Sequence, residues 1–504
     1  MQSPDQPAAT GAGSRPRAEG SVASGSVAAF LSLATSATLT AALTLVLIRV
    51  LGRVEYGIFA LALSIHQVVL LLSDVGLTSA CAREIASSRS DPHRLRMTVG
   101  STLAAKLGTS ITAGILLVAA SGPLADVFDT PRLADVLRLA AAAMTLTSVF
   151  QLFRLGLNSL GARWSMFGLV VVESVLEVAA SLALIVASAT AAAAMGGRIV
   201  GYACGFVLGL WLLVHRAGGL ERPSRGVVTR VLQAGLFIGV AEGVYILFTQ
   251  VDVLLIGAVL GPAHVAQFEA PLRILVIAGF VGYALGLATV PQLAAGGDLA
   301  AHGQRFARAL RYVACLQAAL LPAWLVLIAP NATLIFGDDF TESSEVLYGL
   351  TPYFFLAGIA PLASLATIYA GGERRRIVPS LFALALNAGI TAALLDSIGI
   401  VAGAVGTGIG SAVYVAMFLS LAGQLLNIPR GSLIRFVVLP AACGALAAGF
   451  AVAAWLVDPL VGIVALVPAA GLHLMLLRAS GALSGEEVRR LRQFLTGLPA
   501  VIRR

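Results

Sequence analysis

The chain has 504 residues, of which 58% are hydrophobic and only 12% are charged, and its mean hydropathy is +0.93. A water-soluble fold cannot hide so much apolar surface, so the composition excludes a soluble globular protein. The net charge of +8 and the pI of 9.7 are also found in nucleic-acid-binding proteins. In a membrane protein, however, basic loops beside anionic lipid account for the same excess, and we expect no nucleic-acid partner.

The predicted elements begin with a tail, residues 1–25, whose Ala, Gly, Ser and Pro content is typical of disorder. Apolar stretches long enough for an α-helix to cross a hydrocarbon core of about 30 Å then recur along the chain, and they predict an all-α integral membrane protein with about 14 transmembrane helices. The tail 478–504 follows them, and from residue 485 it predicts a short amphipathic helix on the cytoplasmic surface. The predicted spans are 26–48, 57–80, 98–121, 133–156, 165–189, 192–214, 232–258, 265–294, 308–329, 346–370, 377–395, 399–425, 433–456 and 460–477.

The distribution of basic residues predicts that both termini are cytoplasmic. Most of the 33 Lys and Arg residues fall in alternate loops and in the two tails, whereas the opposite side carries only Arg49, Arg53 and Arg132. Cytoplasmic loops of membrane proteins carry such an excess, so the pattern predicts a multi-pass protein of the plasma membrane.

Short sequences recur and predict two repeated halves. Val-Leu-Gly at residues 50–52 returns at residues 259–261, and the segments 76–78 and 161–163 have counterparts at 286–289 and 372–374. An even number of predicted helices separates the copies, so the repeats are parallel. We therefore expect a six-helix lobe at 26–214, a linker at 215–231, a second six-helix lobe at 232–425 and two extra helices at 433–477. A cleft between two such lobes suits alternating access.

Five basic residues fall inside the predicted spans. A charge in hydrocarbon costs at least about 2.5–3.5 kcal/mol, so each of these side chains should face a wet cavity or a partner. For those near helix ends, snorkelling to the lipid headgroups is an equal alternative. The five are Lys106, Arg138, Arg154, Arg198 and Arg273.

Acidic residues also fall at membrane depth. Glu173 and Glu177 lie one turn apart, so either cations such as Lys106 and Arg198 neutralise them or one stays protonated. Structural ion pairing and coupling to protons or sodium are the two interpretations of this pair.

Further acids, Asp74, Glu242 and Asp252, lie on polar stripes of otherwise apolar helices. Such stripes either line a cavity or hold helices together. Glu269 and Arg273 have the i,i+4 spacing at which a carboxylate and a guanidinium can satisfy each other.

Motifs of enzyme chemistry are absent from the sequence. No GxxxxGK[ST] phosphate loop, HExxH or GxSxG motif occurs, and the four cysteines are widely separated. We therefore predict a transporter with no catalytic residue, cofactor or metal centre.

Residues 48–86 resemble the opening of the bacterial polysaccharide flippase family, the Wzx-like exporters of lipid-linked oligosaccharides. This family is part of the multidrug/oligosaccharidyl-lipid/polysaccharide exporter superfamily. In the second half, Asp252 with Ile256-Gly257, and then Pro271-Leu272-Arg273, are also similar to that family. The matching features of the first half are Arg49, Leu51-Gly52, Glu55-Tyr56-Gly57, Gly76-Leu77 and Arg83-Glu84.

The resemblance implies a monomeric flippase that carries an undecaprenyl-diphosphate-linked oligosaccharide from the inner to the outer leaflet of a bacterial inner membrane. Arginine and lysine bind diphosphate through charge-assisted hydrogen bonds, so we expect cationic side chains in the cleft to contact the substrate. These are Lys106, Arg198 and Arg273, with Arg49 at the outer rim. Acidic side chains are expected to balance charge or to bind a coupling proton or sodium ion. These are Asp74, Glu173, Glu177, Glu242 and Asp252.

Three other functions compete with this reading. A drug or cation antiporter of the same superfamily would have an acid-dominated cleft, which the five basic residues at membrane depth oppose. A lipid II flippase fits the sequence equally well. A membrane glycosyltransferase or polymerase would need a sizeable outer loop, and the largest predicted outer segment, residues 331–345, is short.

Overall fold

The computed structural model describes residues 17–74, 76–289 and 299–482, and every regular element within them is helical. The predicted amphipathic tail from residue 485 lies outside these residues, as does the beginning of the N-terminal tail. The helix bounds are α1 (Arg17–Asp74), α2 (Leu77–Ser87), α3 (Pro92–Val127), α4 (Arg132–Ser159), α5 (Arg163–Ala187), α6 (Ala191–Ala217), α7 (Arg225–Leu260), α8 (Pro262–Thr289), α9 (Leu299–Ala323), α10 (Ala332–Phe336), α11 (Ser343–Gly349), α12 (Thr351–Ala357), α13 (Ile359–Tyr369), α14 (Ile377–Ile398), α15 (Val401–Leu425), α16 (Arg430–Val457) and α17 (Pro459–Ala479).

The chain is a multi-pass membrane protein, but the predicted number of spans is not confirmed. Of the described residues, 11 helices are long and apolar enough to cross a membrane, or 12 if the bent pair α12 and α13 forms one span. One reason is that α1 contains two helices, which meet at Gly52 and together give a single 38-residue span, Ala34–Leu71. α1 also begins at Arg17, inside the predicted tail. Another is that the predicted span 265–294 extends into residues outside the description.

Two glycines bend the chain in the same way at corresponding places in the repeat. Gly52 inside α1 has φ 67° and ψ 175°, and Gly261 between α7 and α8 has φ 83° and ψ 176°. Only glycine adopts this region without strain, which explains why both copies of Val-Leu-Gly end in that residue. The repeated sequence therefore has the same backbone geometry in both copies.

The turns after α4 and α13 are a second matching pair. The amide of Ala162 donates to the carbonyl of Leu157 at 2.9 Å, and the amide of Gly372 donates to that of Thr367 at 2.8 Å. The left-handed residue is Gly161 in the first turn and Gly371 in the second. The sequence comparison aligned Gly161 with Gly372, so the structure moves this pairing by one residue.

Helices from the two sequence repeats pack directly against each other. α1 lies along α8, and an apolar core that includes Leu61 and Phe268 extends through both repeats. The closest approach is at Gly57, where an added Cβ would lie 1.8 Å from the carbonyl oxygen of Pro262. This contact lies at the end of the bundle that carries Gly52 and Gly261.

The last two helices pack as an addition to the second repeat. α16 lies against α9, and α17 lies against α16. The ring of His473 in α17 reaches the carbonyl of Cys315 in α9, with the nitrogen and oxygen 3.2 Å apart. The sequence-based domain boundaries remain predictions.

Candidate functional site

A cavity of 330 Å³, called here the central cavity, lies between α1, α7, α8, α12, α13 and α15. Its wall therefore takes residues from both sequence repeats. Polar and aromatic side chains make up much of that wall, which is unusual for the interior of so apolar a chain. They are Gln67, Tyr245, Phe248, Thr249, Gln250, Glu269, Arg273, Tyr353 and Thr407.

The charged part of this wall is a bidentate ion pair on α8. Arg273 Nε donates to Glu269 Oε2 at 2.8 Å, and Arg273 Nη2 contacts Glu269 Oε1. From α1, the hydroxyl of Tyr56 donates to the same carboxylate at 3.3 Å. Glu269 is buried while Arg273 is partly exposed to the cavity. Of the four predicted anion contacts, Arg273 is the one that the structure places in this wall.

Arg49 lies at the end of the bundle near Gly52. Its Nε donates to the carbonyl of Ile335 at 3.0 Å, and its Nη2 donates to that of Leu334. These are among the last carbonyls of α10, where basic side chains commonly bind. Arg49 therefore links the first repeat to α10 and does not line the central cavity.

Lys106 is completely buried, with 0% of its surface exposed. Its ammonium pairs with Asp74 and donates to Thr78 Oγ1 at 2.6 Å, which joins α3 to the end of α1 and the start of α2. The prediction that Lys106 neutralises Glu173 or Glu177 is therefore wrong. Asp74 neutralises Lys106 instead. It is the last residue of α1, and the break between α1 and α2 allows its carboxylate to reach α3.

Arg198 is the cation that reaches the predicted glutamates. Its Nη1 donates to Glu177 Oε1 at 2.9 Å, and its guanidinium carbon lies 5.2 Å from the ring centre of Tyr202. Glu173 accepts from the Ser174 hydroxyl at 3.1 Å, while its Oε1 is buried with no hydrogen-bond partner in the part of the chain that the structure describes.

Asp252 in α7 is held differently. It is 3% exposed, and it accepts hydrogen bonds only from neutral groups of α14 and α15. Asn387 Nδ2 donates at 2.9 Å, and Thr391 and Thr407 each donate from Oγ1 at 2.6 Å. Within the described ranges no cationic side chain pairs with this carboxylate.

The two threonines and the asparagine around Asp252 carry oxygen atoms as well as hydrogen-bond donors. Thr407 also lines the central cavity, so Asp252 and its hydrogen-bond partners adjoin the wall of that cavity. A buried carboxylate without a counter-ion is costly unless it takes up a proton or a cation. A single carboxylate among neutral oxygens suits a proton or a monovalent ion. The side chain of Glu242, the remaining predicted acid, lies outside the described residues.

Sequence reasoning missed the partners of Asp252. Asn387 and Thr391 are spaced i,i+4 on the apolar helix α14, and that spacing was the available signal. The sequence analysis also did not single out Arg376, whose side chain is only 8% exposed.

Comparison with known proteins agrees with this architecture. Residues 26–296 match the sequence model of a family described as "Polysaccharide biosynthesis protein". No curated protein sequence matches the chain.

Solved structures are similar in fold. An inward-facing multidrug resistance MATE family transporter of the MOP superfamily has a TM-score of 0.66 at 15% identity, over 79% of this chain and 98% of that one. Lipid II flippase MurJ in an inward closed conformation has a TM-score of 0.65 at 12% identity, over 90% and 97%. The outward-facing MATE transporter has a TM-score of 0.57 at 15% identity, over 82% and 97%. The fold is therefore that of the MOP-superfamily transporters.

Proposed function

Since this chain belongs to the polysaccharide biosynthesis protein family, whose sequence model matches more than half of it, we propose that it is a flippase. It moves an oligosaccharide linked to undecaprenyl diphosphate across the bacterial inner membrane, acts as a monomer and has both termini in the cytoplasm. The supporting observation is a polar and aromatic cavity between two repeats of a transporter fold, with Arg273 in its wall.

The chemistry of the wall suits a diphosphate with an attached glycan. A guanidinium offers parallel N–H groups to phosphate oxygens, and in a cavity shielded from water these charge-assisted bonds are strong. When no anion is present, Glu269 satisfies Arg273, which removes the cost of an unpaired charge at membrane depth. Substrate binding therefore exchanges one anionic partner of Arg273 for another.

Alternating access requires contacts at each end of the cavity that open in turn. With the orientation given by the basic loops, the Gly57–Pro262 contact closes the outer end. Towards the other end, Arg230 in the first turns of α7 donates to Glu84 of α2 at 2.7 Å. When the repeats move about the central cavity, one of these two contacts opens while the other stays closed.

Asp252 is the proposed site of the coupling ion, either a proton or sodium. It combines burial, neutral oxygen-bearing partners and a neighbour, Thr407, in the central cavity wall. Asp74 and Glu177 already have basic partners and are assigned to charge balance. Glu173 stays a second candidate because one of its oxygens has no partner among the described residues.

The proposal is tested by flipping of an undecaprenyl-diphosphate-linked oligosaccharide in proteoliposomes. We expect Arg273→Gln to reduce binding and flipping about tenfold to a hundredfold, because hydrogen bonds to charged groups contribute about 1.5–3 kcal/mol. The matched control is Arg138→Gln, since Arg138 forms an exposed i,i+3 pair with Asp135 and is far from the cavity wall. Flipping at the wild-type rate by Arg273→Gln would contradict the assignment.

A lipid II flippase is the nearest alternative, because MurJ shares the fold. Two strains separate the two functions: one that lacks its polysaccharide flippase, and one depleted of its lipid II flippase. We expect the protein to restore growth or polymer export in the first strain. Rescue of the second strain alone would assign the cavity to lipid II instead.

A further inference from the structure

A second cavity lies beside the central one in the C-terminal repeat. Its volume is 340 Å³, within the range of about 300–1,000 Å³ that is usual for small-molecule sites. Tyr245 and Pro361 line both cavities, so the two are neighbours along one wall. The second cavity adds Ser364, Arg376 and Tyr414, which come from α13, the segment before α14, and α15. We call it the side pocket.

Arg376 is the polar centre of the side pocket. One of its terminal nitrogens donates to Ser364 Oγ at 2.7 Å, and its guanidinium carbon lies 5.6 Å from the ring centre of Phe418. Its Nε is buried and has no hydrogen-bond partner among the residues described. Arg376 also lines the side pocket, so a ligand oxygen there can accept a hydrogen bond from its guanidinium.

Aromatic rings supply the apolar part of the same pocket. The ring centres of Tyr245 and Tyr414 are 5.6 Å apart, and those of Tyr414 and Phe418 are 4.1 Å apart in a stacked arrangement. Tyr245 is 36% exposed although it lies in the interior of the bundle, because it faces the cavities. The pocket thus presents a flat apolar surface beside a guanidinium, a serine hydroxyl and tyrosine hydroxyls.

We propose that the side pocket is a subsite for a sugar ring of the transported glycan, which rests on the proposed function. A sugar ring has an apolar C–H face, which packs on an aromatic ring, and a rim of hydroxyls, which accept from Arg376 and bond to Ser364. The pocket does not suit a polyprenyl tail, because a hydrocarbon offers no acceptor to the guanidinium and hydroxyl groups in its wall.

The geometry also explains how one substrate reaches both cavities. The diphosphate binds at Arg273 in the central cavity, and the attached sugar passes Tyr245 into the side pocket. Tyr245 stands at the junction, where it contacts the sugar nearest the diphosphate. The subsite therefore selects on the reducing-end sugar and leaves the rest of the glycan free to vary.

The test compares four probes on the full-length protein in nanodiscs: undecaprenyl diphosphate alone, and the same lipid bearing glucose, galactose or N-acetylglucosamine. We expect at least one sugar to tighten binding about tenfold over the bare lipid. In Arg376→Gln and Tyr245→Ala this sugar-dependent ratio should fall towards one, whereas Tyr245→Phe should keep most of it. Binding of the bare lipid to Arg376→Gln should be unchanged.

Arg375→Gln is the matched control, because Arg375 is the exposed neighbour of buried Arg376 on the same segment. Should Arg376→Gln fail to fold, Tyr245→Ala decides the question, since Tyr245 faces the cavities and its truncation leaves no buried polar group unpaired. Equal binding of all four probes to the wild type, or a sugar-dependent ratio that survives in the variants, overturns the subsite alone. No binding of the bare lipid overturns the proposed function as well.

Discussion

Two acids at membrane depth, Asp74 in the first repeat and Asp252 in the second, are satisfied in opposite ways. In the first repeat, Lys106 pairs with Asp74, and Arg198 pairs with Glu177, so each cation is matched by an acid on another helix. In the second repeat, Asp252 is just as deeply buried but receives only neutral donors from α14 and α15. The same fold therefore holds paired charges in both repeats and, at Asp252, a carboxylate with no cationic partner among the described residues.

The difference suggests two roles: charges paired for stability, and a carboxylate that exchanges a proton or a cation. Removal of one partner of a buried pair destabilises a protein by about 3–5 kcal/mol, so we expect Lys106 and Asp74, whose pair lies outside the wall of the central cavity, to stay paired. A carboxylate held by an amide and two hydroxyls can gain or lose a proton or a monovalent ion without breaking a pair. The variants below test that distinction.

The largest effect is expected for Asp252→Asn. The amide keeps the size of the carboxylate and still accepts hydrogen bonds, so the unfolding temperature should change little, but it neither takes up a proton nor attracts a cation. Ion-driven flipping should therefore be lost. The measurement is flipping in proteoliposomes under an imposed pH or sodium gradient.

Asp396→Asn is the control for this variant, because Asp396 is an exposed acid on the same helix as Asn387 and Thr391. The gradient that drives the wild type identifies the ion. Gradient-driven flipping by Asp252→Asn would remove Asp252 from the coupling site and leave Glu173 as the candidate.

The next effect is expected for Lys106→Met. It leaves Asp74 and Thr78 without their partner, and we expect about 3–5 kcal/mol of destabilisation. The double variant Lys106→Met/Asp74→Asn removes both charges and should recover most of this loss. Unfolding in detergent measures the stability of both variants.

Flipping by the double variant then tells a structural role of the Lys106–Asp74 pair from a role in transport. A stable double variant that still transports confirms a structural pair. A stable double variant that no longer transports would show that Lys106 or Asp74 contributes to the transport cycle itself.

The smallest effect is expected for Gly52→Ala and Gly261→Ala. Both residues occupy a backbone region that is nearly restricted to glycine, and an added Cβ meets little at either site, so each variant should lose about 1–3 kcal/mol through backbone strain. Gly108→Ala is the control, because Gly108 is helical with open space around it and alanine favours the helix there. Very different costs at Gly52 and Gly261 would argue against equivalent bends.

Much of the fold follows from the sequence because lipid imposes a simple rule. Apolar length predicts helices, and the observed ends of α4, α5 and α6 fall within a few residues of the predicted spans. The polar segment around Gly52 is shorter than the predicted loop, because the two helices of α1 meet at this single residue with non-helical backbone angles. A polar sequence between apolar segments does not distinguish a bend from a loop.

The site was less predictable, because sequence gives the depth of a charge but not its direction. Arg273 was correctly spaced for Glu269, since both lie on one helix. The partners of Lys106 and Asp252 come from other helices, so their choice depends on packing that no local pattern reports. The burial of Arg376 depends on packing in the same way.

The Glu269–Arg273 pair has a consequence for release of the cargo. Glu269 lies four residues from Arg273 on the same helix and is held by Tyr56, so it stays beside the guanidinium at a high effective concentration even when the anion is bound. Under the proposed function, Glu269 is a tethered competitor that displaces the diphosphate when the cavity opens to water. We expect such a competitor to keep affinity moderate and turnover fast, and to leave the emptied protein with Arg273 already neutralised.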